Sequence, residues 1–303
     1  MSKSRHLWGI DLGGTKIEGA IIDPAQPDEA VHRLRRDTGA EIGYGHVLSQ
    51  IVSVVRELEN VSGEKCPPRL GLGTPGAVDP STQALKNSNT TCLIGRPLHS
   101  DLSSALGREV VTANDANCCA LAEATLGSAR GEPVVFGVIL GTGVGGGIVV
   151  DGRVLNGRHG IAGEWGHNPI LGETHPCYCG RCGCVETVIA GPSLERFYRD
   201  QGGDSVRLPE IVRRATAGED RAKQTLERLQ MKFAEALAAV LNILDPDAIV
   251  IGGGVGNLDI LYEDKTREAI THFLFNPTLH TKILRPALGD SAGVFGAAML
   301  SCD

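Results

Sequence analysis

Apolar residues recur at helical spacing in two stretches of the 303-residue chain: Val47, Leu48, Ile51, Val54, Val55 and Leu58, and a longer run from Leu226 to Leu244 that stops at Asp245-Pro246. Other apolar runs are short and bounded by glycine or polar residues. Leu70-Gly71-Leu72, Val110-Val111 and Val134 to Leu140 read as strands. Cys118 to Leu126, halted by Gly127, and Val294 to Leu300 read as helices. Strands alternating with helices predict the α/β class. The length exceeds one typical domain, so two lobes are expected, with the crossing near residues 114–120.

Two segments repeat one pattern. Gly9 to Asp23 reads as an apolar strand, a tight glycine turn and a second strand, and Gly137 to Asp151 superposes on it without a gap, Gly13 on Gly141, Gly19 on Gly147 and Asp23 on Asp151. The chain therefore reads as duplicated. Gly141-x-Gly143-x-x-Gly146 matches the glycine spacing of a dinucleotide fingerprint, but that motif must open a helix, and here it runs into Gly147-Ile148-Val149-Val150, a strand. A glycine-rich hairpin turn instead presents backbone N–H groups to an anion. Two such turns facing each other would hold the phosphates of one nucleotide. Gly252-Gly253-Gly254, after the apolar Ala248 to Ile251, and Gly289-Asp290-Ser291-Ala292-Gly293, before the last helix, are further points where a ring or sugar could approach the backbone.

Composition narrows the function. A formal charge of −7 without any Lys/Arg block argues against nucleic acid as a partner. The opening Met1 to His6 is basic, but the apolar run after it is cut by Asp11, so neither a signal peptide nor a membrane span is expected and the protein is read as cytoplasmic. Nine cysteines, an odd number, in such a chain argue against a disulfide framework.

Four of those cysteines lie in one loop region, Cys177-Tyr178-Cys179-Gly180-Arg181-Cys182-Gly183-Cys184, which follows Glu164-Trp165-Gly166-His167 and ends at Glu186. Thiolates and an imidazole so close together can surround one Zn²⁺ tetrahedrally. Cys179-x-x-Cys182 is itself a chelating spacing, and His159 and His175 are near in sequence, so spacing leaves the ligand set open. Asn114-Asp115-Ala116-Asn117 stands between a strand and a helix, which puts Asp115 at a helix N-terminus, where an N-cap role explains it locally.

Asp11-Leu12-Gly13-Gly14-Thr15-Lys16, Gly73-Thr74-Pro75-Gly76, Asn114-Asp115-Ala116-Asn117, Gly141-Thr142-Gly143, Glu164-x-Gly166-His167 and the Cys177 to Glu186 run, in this order, resemble the ROK family of sugar kinases and repressors. The resemblance covers essentially the whole chain. It implies a duplicated actin-like (ribonuclease-H-like) two-lobed sugar kinase fold, with residues 1–117 and a terminal helix 290–303 in a small lobe, and residues 118–289, including a zinc loop 167–184, in a large one. ATP and a sugar are then expected between the lobes. The family's repressors carry a DNA-binding domain ahead of the Asp11 motif, whereas ten residues precede it here, which points to a kinase.

Residue by residue, Asp115 is similar to the family's catalytic base. Asn114, Glu164, His167 and Glu186 fall on sugar-ligand positions, with Asp115 itself and Gly76 and Asn89 as further contacts. His167, Cys177, Cys179 and Cys184 fall on the metal-ligand positions. Asp11, Gly13, Gly14, Thr15 and Lys16, with Thr142 and Gly143, resemble the phosphate loops, and Gly252, Gly253 and Gly254 the adenosine contact. The implied cofactors are ATP, Mg²⁺ and a structural Zn²⁺, and the implied assembly is a homodimer. The expected activity is transfer of phosphoryl from ATP to the 6-hydroxyl of a hexose. Fructose is the first expectation, because Lys86-Asn87-Ser88-Asn89 and Pro176-Cys177-Tyr178-Cys179-Gly180 look most like the fructokinase (mannofructokinase) branch. N-acetylglucosamine kinase and glucokinase are the alternatives, and a sugar-sensing regulator without catalysis is the rival class; the intact Asp115 and both phosphate loops argue against the last.

Overall fold

The computed structural model describes residues 6–26 and 29–302; the basic opening, residues 1–5, lies outside them. Packing divides the chain into two compact units. One holds the chain up to Gly131, Gly147–Ala162 and everything from Ala287; the other holds Glu132–Gly146 and Gly163–Pro286.

In the first unit β1 (Leu7–Leu12), β2 (Lys16–Ile22), β3 (Ala30–Asp37), β4 (Arg69–Thr74) and β7 (Glu109–Asn114) form a sheet in the order β3-β2-β1-β4-β7, with a separate hairpin of β5 (Ala77–Val78) and β6 (Leu85–Lys86). β1, β2 and β3 run antiparallel, and β1, β4 and β7 run parallel. One face is covered by α1 (Tyr44–Ser62), whose stripe Val47, Ile51, Val54, Val55 and Leu58 packs on Trp8, Ile10, Leu12, Ile17 and Ile21. Each such side chain contributes about 1.5–3 kcal/mol by leaving water. α2 (Leu98–Leu106) packs beside it, and α3 (Asp115–Thr125) begins directly at the end of β7. The other face takes the last helix, α9 (Ala292–Met299), through Ala20, Ile22, Val294, Phe295 and Ala298. A Cβ on Gly71 would overlap the Ala297 carbonyl, so glycine lets this helix sit directly on the strand.

The second sheet has the order β10-β9-β8-β11-β12, built from β8 (Val134–Leu140), β9 (Val144–Val150), β10 (Arg153–Val154), β11 (Ala248–Gly252) and β12 (Lys282–Leu284). β9 and β10 are antiparallel, and β11 is parallel to β8 and β12. It repeats the 3-2-1-4-5 order of the first sheet, with each glycine turn joining its two central strands, so the internal sequence match corresponds to a repeated architecture. The helices here are α4 (Glu186–Ile189), α5 (Gly191–Asp200), α6 (Leu208–Thr216), α7 (Asp220–Leu244) and α8 (Asp264–Phe273). α7 starts six residues before its readable apolar run and ends where Asp245 turns left-handed at φ 47°. Among the described residues no helix is long and apolar enough to cross a membrane.

Candidate active site

In the first unit the carboxylates expected in the site lie at strand ends. Asp11 lies near the end of β1 and pairs in register with Gly73 of β4 and Glu18 of β2. The turn after it closes when the Gly13 N–H donates to the Lys16 carbonyl at 2.9 Å, and Gly14 lies beside the Thr90 hydroxyl, which bonds the Asn89 side chain at 3.3 Å. Gly76, at φ 139°, follows β4, where the Thr74 hydroxyl bonds the Gly76 carbonyl at 2.9 Å. Thus Gly13 to Lys16, Asn89 and Gly76 are reached from one group of loops.

The cap of α3 is Asn114, not Asp115: the Asn114 side chain accepts the Asn117 N–H at 2.8 Å. Asp115 occupies the first helical position and accepts the Ala116 N–H at 2.8 Å. The local explanation of Asp115 as a cap therefore lapses. Burial raises its pKa, against the pull of the Ala116 and its own backbone N–H groups. Asp11 is raised to about 6, first by burial, then by Asp115 and Glu18, with Lys16 opposing. A second carboxylate that disfavours the charge of Asp11 is a costly neighbour, and a bound cation or a proton transfer would relieve it.

In the second unit the segment carrying Glu164 and His167 is a 3-10 turn, Trp165–His167, fixed by Trp165, whose indole N–H donates to the Gly145 carbonyl at 2.9 Å and whose ring meets Phe136 and Phe233 edge-on. The cysteine loop folds back on it: Pro169 bridges Cys184, and the Val185 N–H donates to the Asn168 carbonyl at 2.9 Å. This brings one ligand atom each of His167, Cys177, Cys179 and Cys184 within 4.8 Å of one another. Cys177 Sγ lies 3.6 Å from His167 Nδ1, and Cys179 Sγ 3.6 Å from Cys184 Sγ. Tetrahedral zinc with ordinary bond lengths places neighbouring sulfurs about 3.8 Å apart and sulfur and nitrogen about 3.6 Å apart, so this donor set fits such an ion. Cys182 is exposed and stands outside the group, as do His159 and His175. The Arg181 backbone N–H chiefly pulls the Cys179 thiol down to about 6, whereas burial pushes Cys184 up to about 12.

Directly after the knot, Glu186 opens α4 and its Oε2 accepts the Val144 N–H at 2.9 Å, at the end of the Gly141-Thr142-Gly143 turn. A Cβ on Gly143 would come within 2.7 Å of that oxygen. The Gly141 N–H closes the turn on the Gly143 carbonyl, and the Gly141 carbonyl accepts the Gly191 N–H at 2.8 Å. Gly253, at φ 88°, packs on the backbone of Leu140 at the end of β8, so Gly252 to Gly254 lie next to this turn.

Three participants escaped the sequence reading. The hydroxyl of Tyr178 is 3.0 Å from His167 Nε2, and its place between two ligand cysteines was the available signal. Glu18 is buried on β2 and is held by Arg33 and Arg35 of β3, a charged edge strand with no apolar alternation to reveal it. Glu123 of α3 accepts the N–H groups of Ala287 and Leu288 at 3.0 and 2.9 Å, fastening the chain ahead of α9; no local motif marks it.

The chain is 36% identical over 306 residues to the N-acetyl-D-glucosamine kinase of Photobacterium profundum, covering 97% of this chain and 98% of that one. Its fold matches the ROK hexokinase from Thermus thermophilus with a TM-score of 0.87 at 32% identity, covering 98% and 97% of the two chains. It also matches the ROK family glucokinase from Streptomyces griseus, solved in complex with glucose and AMPPNP, with a TM-score of 0.75 at 26% identity, covering 98% and 99%. The fold is the duplicated actin-like α/β fold expected from the sequence. The expected preference for fructose is not what these relatives favour: the alternative, N-acetylglucosamine, fits them better. The defining pattern of the ROK family matches residues 7–303, and the chain belongs to that family.

Proposed function

We propose that this chain, an ATP-dependent carbohydrate kinase, phosphorylates N-acetyl-D-glucosamine at its 6-hydroxyl. The observation that carries the choice of sugar is the 36% identity, over nearly the full length of both chains, to an N-acetyl-D-glucosamine kinase.

In this reading Asp115 accepts the proton of the attacking hydroxyl. Its raised pKa makes it a better base than an ordinary carboxylate. Phosphoryl transfer otherwise needs positioning and charge neutralisation more than covalent chemistry. Glu164, Glu186 and His167 fix the sugar through its hydroxyls, with Asn114, Asn89 and Gly76 completing the contacts. The backbone N–H groups of the two glycine turns, with Thr15, Lys16 and Thr142, hold the phosphates, and Gly252 to Gly254 lie against the adenosine. Asp11 would hold Mg²⁺, the cation that accompanies the nucleotide and would neutralise phosphate charge. His167, Cys177, Cys179 and Cys184 would hold a structural Zn²⁺, which would fix the imidazole and anchor the segment that presents Glu186. A homodimer in the cytoplasm, with neither nucleic acid nor membrane as partner, completes the reading.

A coupled ADP-release assay over N-acetylglucosamine, N-acetylmannosamine, glucose, mannose and fructose tests it. The highest kcat/KM is expected with N-acetylglucosamine. A higher value with fructose would overturn the substrate, and no ADP release with any sugar would overturn the kinase.

A further inference from the structure

The hydroxyl of Tyr178 occupies an unusual position. It lies 3.0 Å from His167 Nε2, the ring nitrogen on the side away from Cys177, and the two rings meet edge to face at 5.2 Å and 90°. One phenolic O–H thus stands on the imidazole that the proposed function assigns to the sugar. The rest of the residue is poorly held. Tyr178 is 83% exposed, at the tip of a turn closed by the Gly180 N–H on the Cys177 carbonyl at 3.0 Å. Rotation about its side-chain bonds would withdraw the hydroxyl without moving the cysteines on either side.

A phenol and a sugar hydroxyl offer the same donor and acceptor to an imidazole and a carboxylate. We infer that Tyr178 is an internal occupant of the sugar subsite, its hydroxyl standing on His167 Nε2 in place of a sugar hydroxyl and swinging out to solvent when the sugar binds. The inference rests on the proposed sugar-ligand role of His167, Glu164 and Glu186. It makes Tyr178 a positioning residue that sets affinity by competition. A simple brace for the His167 ring would act in the opposite sense, because losing a brace loosens the metal knot and weakens the sugar.

Tyr178→Phe separates the two. It removes one oxygen from an exposed side chain and keeps the ring contact. Calorimetry with N-acetylglucosamine, on the metal-loaded wild type and variant without nucleotide, is expected to show the variant binding about three- to ten-fold tighter, the size of one relinquished hydrogen bond. Metal content should be unchanged, and in turnover the gain should be carried by KM. In the wild type, NMR of isotope-labelled tyrosine should show one of the four tyrosine signals moving as sugar is added, and that signal should be missing from the variant. Equal or weaker sugar binding by the variant, or loss of its metal, overturns the inference while leaving the kinase reading intact. If wild type and variant both fail to bind N-acetylglucosamine, glucose, mannose and fructose, the sugar reading itself fails and this inference falls with it.

Discussion

The two glycine hairpins hold the same place in two sheets of the same strand order, and each turn is closed by a backbone hydrogen bond of 2.9 Å. Their surroundings differ. The β1–β2 hairpin carries its own charges: Asp11 and the buried Glu18, with Lys16 beside them and Arg33 and Arg35 reaching over from β3. The β8–β9 hairpin has no charged residue from Val134 to Val150, and the carboxylate at its turn arrives from outside, when Glu186 takes the Val144 N–H. The duplicated framework therefore supplies two similar glycine turns, and in the proposed function the chemistry is divided between them by what surrounds each. Around the first it is charge fixed by strands. Around the second it is a side chain delivered by the cysteine loop.

The largest effect is expected where the first hairpin's charges meet the helix of Asp115. Asp115→Asn keeps the shape and the Ala116 hydrogen bond but loses the proton acceptor. Turnover should fall by about 10²- to 10⁴-fold in the ADP-release assay. Wild-type turnover would return Asp115 to a purely structural role and leave the charge difference between the hairpins without a catalytic meaning.

Next comes the loop that serves the second hairpin. Cys184→Ser should lose the bound metal by elemental analysis and lower sugar affinity about ten-fold or more, because metal binding contributes folding free energy to the segment that carries His167 and Glu186. The first hairpin should not respond: hydrogen exchange at Gly13 should match the wild type. Faster exchange there would mean that the two regions are not independently supported.

Asp11→Asn removes a charge of the first hairpin, and the sign of its effect on stability is set by linkage. The folded pKa, about 6, lies above the ordinary value of 3.8, so the folded chain binds the extra proton and the group's contribution to stability is lost as pH rises from about 4 through about 6. Replacing it should stabilise the protein at pH 7 by on the order of 2–3 kcal/mol in denaturant unfolding, with the gain vanishing below about pH 4, while activity is lost. A variant less stable than wild type at pH 7 would show that Asp11 is held by favourable contacts that offset its burial.

Cys182→Ser should have the smallest effect, with metal content and sugar affinity both unchanged, since the exposed Cys182 stands outside the group formed by the other three cysteines and His167. Metal lost from this variant and retained by Cys184→Ser would reverse the ligand assignment.

The same contrast explains what could be read from the chain. The hairpins, α1 and α7 declare themselves by period, because each buries a continuous apolar stripe on a sheet or helix. β3 does not: at a sheet edge its Arg33 and Arg35 bind Glu18 and its Arg36 binds Glu57, and no apolar alternation is left in its sequence. The short helices α5 and α6 were equally silent, their pattern spanning barely two turns after an initial proline. In the site, ligand types and spacing marked the knot, and family register singled out Cys184 over Cys182, which the fold then placed apart. Contacts made across long sequence separation left no such mark, among them Glu123 with Ala287 and Leu288, and Glu186 with Val144.

The central claim is that two differently furnished turns serve one nucleotide. Hydrogen exchange with and without ATP measures it directly, read at the amides of Gly13 to Lys16 and of Gly141 to Val144. Protection of both turns together, at the same ATP concentration, is the predicted result; protection of one turn alone, or of neither, would contradict it.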